Sequence, residues 1–301
     1  NQLGKSQTPS VVSYTENGLV VGEAAKSNLI LSPDQTAASF KTFMGTNKIY
    51  NLGGETYLPE ELSALVIKQI VVDAETFLQE PVTEAIISVP AYFNDAQRCA
   101  TKLAAQLAGV HVERLINEPS AAALYYQMTY GKKDGCIMVI DFGGGTLDVS
   151  VVECFENIIE IIGIAGDNHL GGNDVDHEIA KFFCRQNGIS LENLSNEERA
   201  ILYKQAEKAK IMISANEIAT MVLVAQNKEY RLILTNKLMT EICNDLFQRI
   251  KKIINQAVKN CSRRPAIDNV VLVGGSGKLT ALQKYLSDLF GRQVYAAPEP
   301  E

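Results

Sequence analysis

Strand-like apolar runs alternate with helix-forming segments along almost the whole chain, and this alternation limits the fold more than any other feature. The run 85–89 is followed by a helical segment, a glycine and a strand that begins at Val112. The run 270–273 is followed by the same order, with the last strand at Val294. Such alternation is typical of α/β folds, in which helices cover the strands. The two strand–helix–glycine–strand units predict two related α/β lobes.

The polar stretch 131–135, Gly-Lys-Lys-Asp-Gly, is the best candidate for a domain boundary. A chain of 301 residues is long enough for about two domains. The stretch separates a predicted first lobe, residues 1–131, from a predicted second lobe, residues 136–301.

In the first lobe, Ser32-Pro33 predicts the start of a short helix that carries Lys41 and stops at Gly45.

Composition and charge exclude several classes of protein. The net charge of −7 gives the chain no general attraction to nucleic acid. No uncharged stretch approaches the ~18–20 residues that span a bilayer. The six cysteines form no C-x-x-C pair and the three histidines lack zinc-ligand spacing, which favours reduced thiols in a cytoplasmic protein. The start at Asn1 lacks an initiator Met and an apolar signal core, so we expect the chain to begin inside a larger protein.

A glycine-rich turn, Asp141-Phe142-Gly143-Gly144-Gly145-Thr146-Leu147-Asp148, separates two apolar strands. Because glycine has no Cβ, consecutive backbone N–H groups of such a turn can close on an anion. Asp141 and Asp148 could hold Mg²⁺ through water, because Mg²⁺ gives up its water reluctantly. The alternative is a structural hairpin whose glycines supply positive φ angles. The P-loop signature does not fit at Gly277-Lys278, and the dinucleotide-binding signature does not fit at Gly143.

Three further segments carry candidate binding residues, and each has a structural alternative. Gly274-Gly275-Ser276-Gly277-Lys278 follows an apolar strand, where backbone can approach a flat ligand, although such turns often contain glycine. Glu207, Lys210 and Ser214 share one helical face, which could bind a ribose and a base or simply be solvated. Glu118 lies where a strand passes into a helix, a position that suits either catalysis or helix capping.

Taken together, these segments resemble the ATPase domain of the heat-shock protein 70 (DnaK-type) chaperones. The matching blocks follow the family's order over nearly the whole chain, and this length of agreement is highly specific. The blocks are Thr8–Val12, Val89–Arg98, Ile116–Leu124, Asp141–Asp148, Gly166–Gly172, Ala206–Lys210 and Leu272–Ser276. The short path from Lys41 to Pro59 resembles the HscC-like branch of the family.

The resemblance implies the actin-like fold, with two α/β lobes around a cleft that holds ATP or ADP and Mg²⁺. It implies that Lys41 is the catalytic lysine beside the γ-phosphate and that Glu118 is an acid near the attacking water. Asp141 and Thr146 are implied to join them in catalysis, and Asp141 and Asp148 to hold the metal through water. The implied nucleotide-binding residues are Gly143, Gly144, Gly145, Thr146, Gly171, Gly172, Glu207, Lys210, Ser214, Gly274, Gly275, Ser276 and Lys278.

The resemblance also implies protein partners. Pro90, Tyr92 and Arg98 match the family's relay to a client-binding domain, and Arg114 lies in the contact region for J-domain co-chaperones. A nucleotide exchange factor and client polypeptides are further implied partners, whereas nucleic acid and membranes are not.

Two parts of the family's pattern are not found in these 301 residues. One is the first phosphate loop, an Asp-Leu-Gly-Thr-Thr segment expected before Asn1. The other comprises the last helix of the first lobe, the interdomain linker and the client-binding domain, expected beyond Glu301. We therefore expect a fragment that is truncated at both ends and inactive as an ATPase by itself.

The sequence thus predicts the ATP-binding and ATP-hydrolysing domain of a chaperone that couples nucleotide state to client binding. One alternative is a filament-forming actin-like ATPase, which nucleotide-dependent sedimentation would reveal. Another is a sugar kinase of the same fold, in which a sugar would stimulate phosphate release. The blocks around Pro90 and Glu118 speak against both. A nucleotide-binding module that no longer hydrolyses ATP is a third alternative.

Overall fold

The computed structural model describes residues 1, 4, 7–131, 134–156, 158–225 and 228–297. Its contacts divide the chain into two compact units, Asn1–Asn117 and Glu118–Glu301. The predicted boundary stretch contains Lys132 and Lys133, which lie outside the described residues. The assignment of residues 1–131 and 136–301 to two lobes stays a prediction.

In the first unit, short strands and helices alternate. They are β1 (Val11–Thr15), β2 (Gly18–Val21), α1 (Glu23–Lys26), α2 (Asn28–Leu31), β3 (Thr36–Ala38), β4 (Tyr50–Leu52), β5 (Glu55–Tyr57), α3 (Pro59–Leu78), β6 (Glu84–Val89), α4 (Asp95–Leu107) and β7 (His111–Asn117). One sheet has the order β2-β1-β3, β4 pairs with β5, and β6 runs parallel to β7. Helices α3 and α4 pack against each other, and Ala100 and Ala104 of α4 are buried with Val89 of β6.

The prediction of one short helix that starts at Ser32-Pro33, carries Lys41 and stops at Gly45 is wrong. A one-turn 3-10 helix, Pro33–Gln35, is followed by strand β3 and then by a second 3-10 helix, Phe40–Phe43, which carries Lys41. The strand interrupts the helix because Thr36 and Ala38 pair with Ser13 and Val11 of β1. Sheet pairing here outweighs the local helix signal at Ser32-Pro33.

The second unit contains longer elements. They are α5 (Glu118–Tyr130), β8 (Gly135–Phe142), β9 (Leu147–Phe155), β10 (Ile158–Asp167), α6 (Gly172–Asn187), α7 (Asn196–Ala215), β11 (Ile218–Ala225), β12 (Lys228–Thr235), α8 (Asn236–Ile242), α9 (Asn244–Lys259), β13 (Ile267–Val273), α10 (Thr280–Phe290) and β14 (Tyr295–Ala296). One-turn 3-10 helices cover Leu191–Asn193 and Gly275–Lys278. The capping box predicted at Ser195 and Glu198 opens α7.

A five-stranded sheet with the order β10-β9-β8-β13-β14 forms the centre of this unit. Strands β10, β9 and β8 are antiparallel, whereas β8, β13 and β14 are parallel.

Met138 and Ile140 of β8 point into the larger core with residues of α6, α7 and α9. Ile137 and Val139 point to the opposite face, where they cluster with Ala123 and Tyr126 of α5. Helix α5 therefore packs with the second unit, and this explains why the division falls before Glu118 rather than near 131.

The internal repeat predicted from the sequence is confirmed. Strands β6 and β7 are parallel and joined through α4, and β13 and β14 are parallel and joined through α10. The glycine that follows each helix, Gly109 or Gly291, has a left-handed φ of 88° or 62°. Glycine adopts this conformation without the steric cost of a Cβ, so it ends each helix at the point where the chain returns to the sheet.

All six cysteines are free thiols, as the sequence predicts. Burial raises the pKa of Cys136 to about 11 and that of Cys243 to about 12. Both groups are therefore protonated and unreactive at neutral pH. Among the described residues, no helix is both long enough and apolar enough to cross a lipid bilayer.

Candidate functional site

The glycine turn between β8 and β9 was interpreted above either as an anion-binding turn or as a structural hairpin whose glycines supply positive φ angles. The structure does not support the hairpin interpretation. The Gly143 N–H donates to the Thr146 carbonyl at 3.0 Å and closes the turn. Neither Gly143 nor Gly144 has a positive φ. A Cβ added at Gly144 would meet no heavy atom closer than 4.0 Å. Because neither φ nor crowding requires glycine here, the missing side chains leave room for an outside group to approach the backbone.

Helix α6 fixes the direction of the peptide groups in this turn. The N–H groups of Gly172 and Asn173, at the start of α6, donate to the carbonyls of Gly143 and Gly144 at 2.9 and 2.8 Å. Since the described peptide bonds are trans, the N–H on the far side of each peptide points the opposite way. The N–H groups of Gly144 and Gly145 are thus turned away from α6. Two adjacent donors of this kind form a concave anion-binding surface.

Two other glycine segments pack tightly around this turn. A Cβ at Gly171 would lie 2.5 Å from the carbonyl carbon and oxygen of Gly144, and one at Gly172 would collide with the Ser276 hydroxyl. That hydroxyl donates to the Gly143 carbonyl at 2.9 Å. Gly143 therefore receives hydrogen bonds from both α6 and the segment after β13, and the structure brings three of the predicted segments together.

The segment after β13 forms the 3-10 helix Gly275–Lys278. Gly274 precedes it with a φ of 80°, and a Cβ there would lie 2.5 Å from the Asp141 carboxylate and 2.6 Å from the Phe142 carbonyl. Glycine is thus required at 274 by both conformation and space. Gly275 and Lys278, the first and last residues of this 3-10 helix, are exposed.

Helix α7 contributes Lys210, whose ammonium group is directed into the protein. Its Nζ donates to the Gly172 carbonyl at 2.9 Å and to the Asp176 carboxylate at 2.8 Å. The side chains of Lys210 and Asp176 are only 12% and 10% exposed. The Ser214 hydroxyl donates to the Lys210 carbonyl at 3.0 Å, and Glu207 is half-buried one turn earlier. The solvated-face interpretation is therefore wrong for Lys210, which is part of the packing around Gly172.

We expect Lys210→Met to lower the free energy of unfolding by roughly 3–5 kcal/mol, because it leaves the Asp176 carboxylate buried without its cation. Urea unfolding of the two proteins measures the difference. The double variant Lys210→Met/Asp176→Leu is the control and should recover most of the loss, since it also removes the buried charge. Equal unfolding midpoints for the wild type and Lys210→Met would contradict this prediction.

Asp141 and Asp148 lie opposite each other on the antiparallel strands β8 and β9. Directly opposed residues project from the same face of a sheet, so the structure places both carboxylates on one side. A glycine lies beside each of them, Gly274 near Asp141 and Gly166 near Asp148, and a Cβ at either position would approach the carboxylate within 2.6 Å. In the described part of the chain, no cluster of three or more His, Cys, Asp or Glu side chains could ligate a metal directly.

Other predicted residues, Lys41, Glu118 and Arg98, lie on different elements. Lys41 is exposed on its 3-10 helix in the first unit. Glu118 is the half-buried first residue of α5. In the first unit, Arg98 donates through Nε to the Phe93 carbonyl at 3.0 Å and through Nη2 to Asn117 Oδ1 at 2.8 Å. Arg98 thereby ties the loop after β6 to the end of β7.

Two residues that shape this site were not predicted from the sequence. Asn173 acts through its backbone N–H, and Asp176 is the ion-pair partner of Lys210. No motif marks Asn173, because any residue could supply that backbone donor. Asp176 lies one helical turn beyond Gly172, and its pairing with a lysine more than thirty positions later depends on the packing of α6 on α7.

The chain is similar in sequence to known proteins over its whole length. The sequence model of the Hsp70 protein family matches residues 1–52 and 48–300. The chaperone protein DnaK of Thermotoga petrophila is 38% identical over 317 residues, which cover 100% of this chain and 52% of the relative. The chaperone protein DnaK of Thermosipho melanesiensis is 37% identical over 315 residues, with the same coverage. The chain spans about half the length of the curated relatives it matches. With its two α/β units and its glycine turn held by two other segments, the chain belongs to the Hsp70 protein family, whose ATPase domain has the actin-like fold.

Proposed function

We propose that this chain binds ATP and ADP and that it is the ATP-hydrolysing part of a DnaK-type molecular chaperone. The observation that carries the proposal is the orientation of the peptide groups in the turn 143–146. The carbonyls of Gly143 and Gly144 accept hydrogen bonds from α6, so the consecutive N–H groups of Gly144 and Gly145 point away from that helix. An anion such as a nucleotide phosphate is the natural ligand of such a surface.

We propose that the other predicted residues lie around a nucleotide whose phosphates bind at this turn. Gly171, Gly172 and Ser276 hold the turn in place, and Gly274, Gly275 and Lys278 border it on the β13 side. Glu207, Lys210 and Ser214 are proposed to contact the adenosine. For Lys210 this contact would come in addition to its bonds to Gly172 and Asp176.

Mg²⁺ is proposed as the metal, held through water by Asp141 and Asp148. Their position on one face of the sheet, with glycines beside both, supports this assignment. When bound, Mg²⁺ would neutralise charge on the phosphates. Lys41 is proposed to neutralise further charge at the γ-phosphate, Thr146 to contact the phosphates, and Glu118 to orient the attacking water.

The wider role is proposed from the family. A J-domain co-chaperone, a nucleotide exchange factor and client polypeptides are the proposed partners, and the cytoplasm is the proposed location. We also propose that the chain belongs to the HscC-like branch and that it is a fragment of a longer chaperone. The short path between Lys41 and Pro59 supports the first point, and the coverage of about half of each relative supports the second.

The proposed phosphate contact predicts that Gly144→Ala impairs ADP binding without destabilising the protein. The added Cβ finds free space within the protein and would lie beside the N–H groups that are proposed to bind the phosphate. We expect the Kd for ADP to rise about 10- to 100-fold, since hydrogen bonds to a charged group are worth ~1.5–3 kcal/mol. Calorimetric titration measures the affinity, and thermal unfolding without ligand measures the stability.

Gly171→Ala is the matched comparison. Its Cβ would lie 2.5 Å from the backbone of Gly144, so this variant should lose both ADP affinity and thermal stability. If Gly144→Ala binds ADP as tightly as the wild type, the phosphate does not lie at this turn.

A further inference from the structure

An arginine outside the predicted site holds the turn that leads into α6. Arg249 of α9 donates through Nη2 to the Asp167 carboxylate at 2.7 Å and to the His169 carbonyl at 3.2 Å. The other oxygen of Asp167 accepts the His169 N–H at 2.9 Å. One guanidinium thus binds both the side chain that closes the turn and the backbone within it.

The turn formed by residues 167–171 directly precedes the residues of α6 that orient the turn 143–146. We call the turn 143–146 the phosphate turn. Two residues after His169, Gly171 packs on the backbone of Gly144, and the next two N–H groups bind the carbonyls of Gly143 and Gly144. The close packing at Gly171 leaves little room for adjustment. A shift of the 167–171 turn would therefore move the peptide groups that present the N–H donors.

The electrostatics of the turn keep this contact in place at neutral pH. Burial alone would raise the pKa of Asp167, but the hydrogen bonds from His169 and Arg249 and the charge of Arg249 lower it below its ordinary value. Asp167 is thus ionised at neutral pH. The Arg249 side chain is 43% exposed. An ion pair this exposed contributes little to global stability, so its removal should act mainly on local geometry.

We infer that Arg249 is a positioning residue for the phosphate turn, acting through Asp167 and the 167–171 turn on the carbonyls of Gly143 and Gly144. The inference rests on the proposed function, because it assigns Arg249 to the phosphate end of that site. Arg249 itself need not touch the nucleotide. The effect of its loss should therefore appear in the affinity for phosphate groups and not in the affinity for adenosine.

The test compares the binding of adenosine and ADP to the wild type, Arg249→Gln, Arg249→Lys and Arg263→Gln by calorimetric titration. Arg263 is the matched control, because it is 48% exposed and pairs with Glu153 and Glu160 on β9 and β10. For Arg249→Gln we expect ADP affinity to fall at least ~10-fold, as small displacements of binding groups commonly cause, with adenosine affinity unchanged. Arg249→Lys should recover part of the loss, since an ammonium group can still pair with Asp167.

Each other outcome has a distinct meaning. If Arg249→Gln binds ADP like the wild type and Arg263→Gln, Arg249 does not position the turn and the inference is overturned, while the proposed function stands. If adenosine and ADP affinity fall equally and the thermal midpoint falls with them, Arg249 has only a general structural role and the inference is again overturned. If the wild type binds neither ligand, the proposed function fails and the inference fails with it.

Discussion

A version of this chain that carries the family's Asp-Leu-Gly-Thr-Thr segment ahead of Asn1 is expected to release phosphate from ATP at least ~100-fold faster than the 301 residues alone. In-line attack requires the γ-phosphate to be held from two sides, and the 143–146 turn is proposed to hold one of them. Misplacement of the reacting phosphorus by about 1 Å already costs ~10²-fold. Single-turnover phosphate release measures both rates.

The control for this comparison is the same extended chain with both threonines of the added segment replaced by valine. It adds the same length of chain but removes the hydroxyl groups that could contact phosphate, so it should stay much slower than the unaltered extension. Equal rates from the 301 residues and from the extended chain would show that the added segment is dispensable and that the assignment of the phosphate site is wrong.

In the extended chain, Lys41→Ala is expected to lower kcat by ~10²–10³-fold while KM changes little. The ammonium group is proposed to neutralise charge that builds up during phosphoryl transfer, and an interaction made mainly in the transition state acts on kcat. Its exposed position on the 3-10 helix Phe40–Phe43 leaves it accessible to a ligand. Steady-state kinetics over a range of ATP concentrations separate the two constants.

Lys102→Ala is the control for this measurement, because Lys102 is an exposed lysine on α4 of the same unit and has no proposed role. It should retain wild-type kinetics. Wild-type turnover by Lys41→Ala would identify Lys41 as an ordinary surface residue of its 3-10 helix.

The sequence predicted the elements well where local and long-range preferences agree. Strand β6, Glu84–Val89, contains the strand-like run 85–89, which is flanked in the sequence by Thr83 and Pro90. This strand, however, is buried only at one end and on one face. Val89 is buried with α4, whereas Ile86 on the opposite face is 64% exposed. An apolar run shows that a strand forms, but which of its faces is covered depends on the neighbouring elements.

The sequence predicted which segments form the candidate site. It could not predict the contacts that join these segments. Glycine at 143–145 indicates a backbone that a ligand can approach, but the direction of its N–H groups depends on hydrogen bonds from α6. In the same way, helical spacing places Lys210 and Ser214 on one face, yet only the packing of α6 shows that Lys210 faces Asp176. Pairings of this kind depend on side chains far apart in the sequence, which a periodic pattern does not encode.

The double hydrogen bond to the Gly143 carbonyl has a consequence for the synthesis of the protein. One donor comes from α6 and the other from Ser276, which lies 133 positions after Gly143. On the ribosome, the glycine turn emerges long before Ser276 exists, and contacts between such distant residues form late in folding. A nascent chain therefore acquires its complete anion surface only when almost all of the second unit has been made. The proposed binding of ADP would require this finished surface, so ADP would stabilise only the fully made fold and draw the folding equilibrium towards it by mass action.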